Sequence, residues 1–382
     1  MELPQEKRKR LLKSIKSFLL RKSCKIIHFA QLLGLLNAAC PGIKYGRLYT
    51  KTLERAKYLA LRANYGNYKS KMKLSMEVKH DLRWWLEKLP REMNVLRKEN
   101  FLIEICTDAS LSGWGAYCQG KSACGWWSLT ESEDHINLLE LRAIFLGLKC
   151  FAGNLKDCNI LIRTDNTTAL SYVNKMGSVK FPKLNNLARS LWKWCENKNI
   201  WIFASYIQSK ENWQADQASR TLPKETEWSL NNNIFNDITQ QLGQPDIDLF
   251  ASVANNKCKR YFSWYIDPES EAIDAFTVSW SNLSFYAFPP FALILRTLQK
   301  IINDKATGIM VVPFWKTQPW YPLFVKLTVG HPLFFGPNND ILFSPYSKVR
   351  HPMCKDLILV AAKLSGKHSE ERESQKAQLE QW

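Results

Sequence analysis

Four acidic residues stand where acid can do chemistry. Asp108 closes the run Ile105-Cys106-Thr107-Asp108, and Asp165 closes Ile162-Arg163-Thr164-Asp165. Glu140 lies within Asn137-Leu138-Leu139-Glu140-Leu141, and Asp216 within Asn212-Trp213-Gln214-Ala215-Asp216-Gln217-Ala218-Ser219-Arg220. Carboxylates gathered at one point suit a hard divalent ion, Mg2+ or Mn2+, which prefers oxygen ligands. Two such ions about 4 Å apart can stabilise the attacking and leaving oxygens of a phosphodiester. Crowded acids also raise one another's pKa when no metal is bound. Taken singly, each acid has a plainer role. Asp108 would be a turn former, Asp165 with Asn166 a helix cap, and Asp216 a first-turn acid favoured by the helix dipole. Glu140 is flanked by leucines, which argues against a purely solvated position.

The surrounding pattern supplies elements able to hold these acids. Phe101–Asp108, Trp114–Cys118 and Ala123–Ser128 read as strands separated by turns at 111–113 and 119–121. Leu138, Leu139, Leu141, Ile144, Phe145 and Leu148 mark an amphipathic helix. A strand follows at Asn159–Thr164, then helices at 166–175 and Pro182–Asn197. A last strand, Ile200–Ile207, precedes a helix at 212–220. Three strands, helix, strand, helices, strand, helix is an α/β layer order. It places two of the acids at strand ends, where open α/β sheets carry their sites.

Residues 101–222 resemble the ribonuclease H domain of retroelement reverse transcriptases. The segments TDAS, NLLEL, RTDN and ENWQADQASR match its four acidic blocks in order, and the likeness is to DIRS-type retrotransposon polyproteins. The resemblance implies a mixed five-stranded sheet with flanking helices. It implies metal-dependent cleavage of the RNA strand of RNA–DNA hybrids, with Asp108, Glu140, Asp165 and Asp216 as catalytic and metal-binding residues. Asn137 would touch the hybrid where the 2′-hydroxyl marks RNA, and Ser110 and Thr167 are further contact candidates. One departure concerns the loop before the last helix, Tyr206–Glu211, which lacks the histidine many relatives carry. That departure bears on turnover rate. A polymerase motif of Tyr-x-Asp-Asp type is not in the sequence, so DNA synthesis is not expected and the chain reads as a retroelement fragment.

Residues 1–100 read as four helices, at about 11–20, 27–39, 51–64 and 75–89, resembling the thumb and connection that precede ribonuclease H in such polyproteins. The whole chain carries a formal charge of +18. Residues 1–100 hold 24 Lys/Arg against 8 Asp/Glu, residues 101–222 hold 13 against 11, and residues 223–382 hold 16 of each. A localised excess of that kind favours a nucleic-acid backbone, because each neutralised phosphate releases a counterion. Lys7-Arg8-Lys9-Arg10 reads as a solvated helix face or a nuclear signal.

In residues 223–365, Asp246-Ile247-Asp248-Leu249-Phe250, then Asp274-Ala275-Phe276, then Phe288-Pro289-Pro290-Phe291 resemble an adenine-N6 DNA methyltransferase of phage type. A Rossmann-like region is implied. That family opens its Pro-Pro motif with Asn or Asp, which accepts from the target amine. Phe288 has no acceptor, and no glycine-rich cofactor loop is present. S-adenosylmethionine binding and methyl transfer are therefore not expected, and the region reads as a retained fold without that activity; the plainer alternative for Pro289-Pro290 is a rigid turn between apolar segments. Residues 366–382 read as a polar tail.

Ten cysteines without CxxC spacing indicate reduced thiols in an intracellular protein, nuclear or cytoplasmic. No apolar stretch long enough to span a membrane is present. A non-catalytic nucleic-acid-binding remnant is the alternative reading. An integrase-like enzyme would end on a helix glutamate, and a proofreading exonuclease would want an acid at position 110, where Ser110 stands.

Overall fold

A computed structural model of the chain describes residues 3–94, 100–220, 228–346 and 350–367. The junction expected at 222/223 and nearly all of the expected polar tail lie outside these residues. The first region holds α1 (Gln5–Leu20), β1 (Ser23–Lys25), α2 (Ile26–Ala39), α3 (Leu48–Ala63), β2 (Lys71–Lys73) and α4 (Met76–Lys88). The four expected helices are present; the first begins at Gln5, six residues before the expected start, and the other three lie within three residues of the expected bounds. The two-stranded antiparallel ribbon of β1 and β2 was not anticipated. Helix α1 buries Leu11, Ile15 and Phe18, one stripe at helical spacing. The basic run in α1 departs from a solvated face at one residue. Arg8 is buried and donates to the carbonyls of Leu3, Leu89 and Glu92 at 3.1, 2.9 and 3.1 Å. It thereby satisfies backbone oxygens around the end of α4 that have no helical partner.

The second region follows with β3 (Ile103–Ala109), β4 (Gly113–Cys118), β5 (Lys121–Trp126), α5 (Ile136–Ala152), β6 (Asn159–Thr164), α6 (Thr167–Asn174), α7 (Pro182–Asn197), β7 (Trp201–Tyr206) and α8 (Trp213–Arg220). Its sheet has the order β5-β4-β3-β6-β7. The β3–β4 and β4–β5 pairs are antiparallel, while β3–β6 and β6–β7 are parallel. This is the mixed five-stranded sheet with flanking helices that the ribonuclease H resemblance implied. The helices lie on both faces. A Cβ on Gly115 would come 2.3 Å from the Ala215 carbonyl oxygen and 2.4 Å from the Ser219 nitrogen, so α8 crosses β4 at backbone contact. The next residue, Ala116, points to the opposite face and meets Gly147 of α5.

The first two regions share one hydrophobic core running from Leu3 to Ala204. Helix α3 lies antiparallel along α7. The Tyr49 hydroxyl donates to Glu196 at 2.5 Å, Arg189 donates to Thr52 at 3.0 Å, and Arg55 donates to the Val179 carbonyl at 2.5 Å. Trp84 stacks on Tyr49 with ring centroids 3.9 Å apart and donates to Glu196 at 2.8 Å. Asp81, fully buried, accepts from both terminal nitrogens of the Arg189 guanidinium. A buried carboxylate held in a fork of this kind resists separation, because Asp81 would be left in the core without its guanidinium.

The third region contains β8 (Ser229–Leu230), α9 (Asn232–Leu242), β9 (Ile247–Asp248), β10 (Arg260–Ser263), β11 (Ala272–Ile273), β12 (Ser284–Ala287), α10 (Ile294–Asn303), β13 (Thr307–Pro313), α11 (Tyr321–Leu327), β14 (Thr328–Phe335), β15 (Leu342–Phe343) and β16 (Leu359–Ser365). Its main sheet has the order β11-β10-β9-β12-β13-β16-β14. The first five strands are parallel, and β16 runs antiparallel between β13 and β14. This is a Rossmann-like arrangement whose order reverses between β9 and β12. The strand expected at 309–313 is β13.

Candidate active site

The parallel strands β3 and β6 end side by side; Asp108 is the penultimate residue of β3, and Asp165 follows directly on the last residue of β6. The first turns of α5 bring Glu140 to the same point. Ligand oxygens of Asp108, Glu140 and Asp165 all lie within 4.8 Å of one another. Asp108 and Glu140 are buried, at 6% and 5% exposure, and Asp165 is half-buried. Helix α5 begins at the cap His135, whose ring nitrogen accepts from the Asn137 N–H at 3.2 Å. Its leucines 138, 139 and 141 enter the core, which anchors Glu140 beside the strand ends.

Burial and mutual repulsion set the electrostatics. Burial pushes the Glu140 carboxyl up to about 9, and the charges of Asp108 and Asp165 add to the rise, while the Ala109 N–H opposes it. The Asp108 carboxyl is also raised, first by burial, then by Asp165 and Asp216. Ser219, donating to its Oδ2 at 2.7 Å, pulls it back. The Oε2 atom of Glu140 is buried without a hydrogen-bond partner. A buried carboxylate oxygen with no donor is costly. Two further carboxylates beside it offer only acceptors. A divalent cation supplies what this donor set lacks, so the residues present fit a metal of oxygen-seeking type.

Asp216 is placed differently. It lies on the first turn of α8, outside the group of three, and its Oδ1 accepts from Arg220 Nε at 2.7 Å. Its charge still reaches Asp108. Ser110 holds its own turn together and donates to the Ser219 carbonyl at 2.8 Å, linking the end of β3 to α8. Asn137 Oδ1 accepts from Asn166 at 3.0 Å, and Asn166 caps α6 through the Ala169 N–H at 2.9 Å. Thr167 is exposed at the start of α6, next to that cap.

Three neighbours of the acids escaped the sequence reading. Ser219 bridges α8 to Asp108. Ser209 donates to Asp165 Oδ2 at 2.6 Å from the loop that lacks a histidine. Asn212, buried, donates to the Thr107 carbonyl at 3.0 Å and pins the start of α8 to β3. Ser219 is one helical turn from Asp216, a spacing that could have pointed to it. Ser209 and Asn212 carry no comparable signal.

In the third region, Asp248 ends β9 and pairs in register with Tyr286 on β12. Its carboxylate accepts from the Phe250 and Lys257 N–H groups at 3.2 and 3.0 Å. Burial raises its pKa to about 6. Phe288, Pro289 and Pro290 follow β12 as an irregular link into a 3-10 helix that opens at Phe291, with the Phe288 and Phe291 rings 6.4 Å apart. The Phe250 ring leaves the β9 end to pack 5.6 Å from Phe276 and 6.3 Å from Trp280.

No family model and no curated protein sequence matches the chain. Among solved structures, the ribonuclease H1 LC11 in complex with an RNA/DNA hybrid is 18% identical, with 31% of this chain and 95% of that chain covered and a TM-score of 0.28. The ribonuclease H1 of Halobacterium salinarum is 15% identical over 30% of this chain and 92% of its own, at TM-score 0.25. A foamy viral protease-reverse transcriptase in complex with double-stranded DNA is 14% identical over 53% of this chain, at TM-score 0.22. The likeness spans about a third of that viral chain, 35%.

No helix among the described residues is long and apolar enough to cross a membrane. All ten cysteines are free thiols.

Proposed function

We propose that this chain is a metal-dependent ribonuclease H that hydrolyses the RNA strand of RNA–DNA hybrids. The observation that carries the reading is the convergence of Asp108, Glu140 and Asp165, with one buried carboxylate oxygen left without a donor. Those three residues would hold Mg2+ or Mn2+, and Asp216 would join them once released from Arg220. Such a metal, when bound, would supply positive charge to the phosphate oxygens and ease deprotonation of an attacking water. The chain's own residues prepare the place. Ser219 and Ser209 orient Asp108 and Asp165, and Asn212 sets the start of α8. Asn137, tied to Asn166 at the entrance to α6, would meet the hybrid's 2′-hydroxyl.

The succession of basic helical module, ribonuclease H-like sheet and Rossmann-like sheet supports an origin in a DIRS-type retroelement. Methyl transfer is not part of the proposal. Phe288 offers no acceptor to an amine, both Asp248 oxygens are taken by backbone, and aromatic rings crowd the end of β9.

The test is to incubate the full chain with labelled RNA–DNA hybrid, duplex DNA and single-stranded RNA, with Mg2+ and with chelator. Cleavage confined to the RNA of the hybrid, dependent on metal and absent in Asp108→Asn, is expected. Equal cleavage by parent and variant would remove the assignment.

A further inference from the structure

The ribbon of β1 and β2 has no role in the core beyond Cys24 and Met72, which point inward. Its outward face is charged. In the antiparallel register Lys25 stands directly opposite Lys71, and Ser23 opposite Lys73. Lys71 and Lys73, two residues apart, share one face with Lys25. Like charges opposite one another destabilise a strand pair. Arg21, Lys22 and Lys69 flank the ribbon, and all six cations are exposed. Residues 21–27 and 67–75 contain no acid to offset them. Two backbone bonds, Ile26 N–H to Ser70 and Leu74 N–H to Lys22, at 2.9 and 3.0 Å, hold both segments in place. The result is a fixed patch of positive charge kept together against its own repulsion.

The topology places this patch on the same side of the molecule as the carboxylates. Helix α7 passes through a short turn into β7, so its C-terminus lies at the edge where β7 begins. Its N-terminus therefore lies at the opposite edge, where β3 and β6 deliver Asp108 and Asp165. Helix α3 runs antiparallel to α7, from Tyr49 beside Glu196 to Arg55 beside Val179. From there it continues to Ala63, a further ~12 Å at ~1.5 Å per residue. The ribbon is reached just beyond, at the carboxylate edge and outside the five-stranded sheet.

We propose that the outward face of the β1–β2 ribbon, Lys25, Lys71 and Lys73 with Arg21, Lys22 and Lys69, binds the phosphate backbone of a nucleic-acid duplex that extends beyond the carboxylate site. The proposal deepens the hybrid-nuclease reading by naming where the flanking duplex is held. A phosphate lattice relieves the opposition of Lys25 and Lys71, and binding releases counterions in proportion to the phosphates neutralised. The patch reads charge rather than sequence.

The test measures binding of the full chain in chelator, so cleavage does not enter. Labelled hybrids of about 8 and about 25 base pairs, ~27 and ~85 Å at ~3.4 Å per pair, are titrated over a range of salt. The triple variant Lys25→Gln, Lys71→Gln, Lys73→Gln is expected to bind the long hybrid about tenfold more weakly, with the slope of log K against log salt reduced by about 2–3. Binding of the short hybrid should be unchanged. The matching Lys→Arg triple variant should behave as the parent. An unchanged slope on the long hybrid would overturn the proposal. So would an equal loss on the short hybrid, or a loss in the arginine variant equal to that in the glutamine variant. Cleavage of the hybrid by the parent in Mg2+ is scored separately. If it fails while the ribbon effect persists, the nuclease reading falls and the binding surface stands.

Discussion

Glu140→Gln perturbs the carboxylate cluster in a way that can be read without any cleavage assay. In the metal-free protein the folded state holds the Glu140 proton up to about pH 9, whereas the ordinary value is 4.5. Between those limits the folded chain binds more protons than the unfolded chain, so stability falls as pH rises. The contribution is fully present below the ordinary value and is lost progressively up to about 9. At pH 8 the gap is about 3.5 pH units, which at ~1.36 kcal/mol per unit sets a ceiling of about 4–5 kcal/mol. Glutamine is neutral at every pH, and its amide can donate toward Asp108 and Asp165. The variant should therefore be more stable than the parent at pH 8 in chelator, by several kcal/mol, and nearly equal to it at pH 4. Urea denaturation at the two pH values measures this directly. Mg2+ should stabilise the parent through preferential binding to the folded state, and the variant much less. The same parent–variant difference in stability at pH 8 as at pH 4 would refute the picture of a buried, mutually repelling cluster.

Gly115→Ala should lower stability by at least 1–3 kcal/mol as an overpacked contact, because the new methyl meets the α8 backbone at 2.3 and 2.4 Å. It should also reduce the proposed hybrid cleavage by moving Asp216 and Ser219; thermal melts and initial rates check both effects. Arg189→Ala should cost about 3–5 kcal/mol, because it strands the buried Asp81. Adding Asp81→Asn should recover part of that loss in a denaturation series.

Much of the site was legible because its acids sit at element ends with strong local signals. Apolar runs stop at Asp108 and Asp165, and leucines fix the face of α5 on which Glu140 lies. The strand at 159–164 and the helix at 182–197 fall at the expected bounds, since proline and strict periodicity punctuate them. The β1–β2 ribbon was not legible. Three-residue strands rich in lysine show no alternation long enough to register, and their partners lie far apart in the chain. Arg8 was misplaced for a related reason. Only the tertiary position of Leu89 and Glu92 explains why one cation of a basic run turns inward. The tie between Asp216 and Arg220 follows helical spacing, whereas Ser209 reaches Asp165 through loop geometry alone.

The joint core beneath the first two regions bears on how this protein can be divided. Cleaving the chain near residue 100 would not release two independent pieces. The helical piece would uncover the faces of α3 and α4 that meet Glu196 and Arg189. The other would uncover Trp192 and Trp201, whose rings lie about Tyr45. Each half would carry a raw apolar wound inviting aggregation. The smallest well-behaved piece that keeps the five-stranded sheet is thus expected to begin at the basic N-terminal helix.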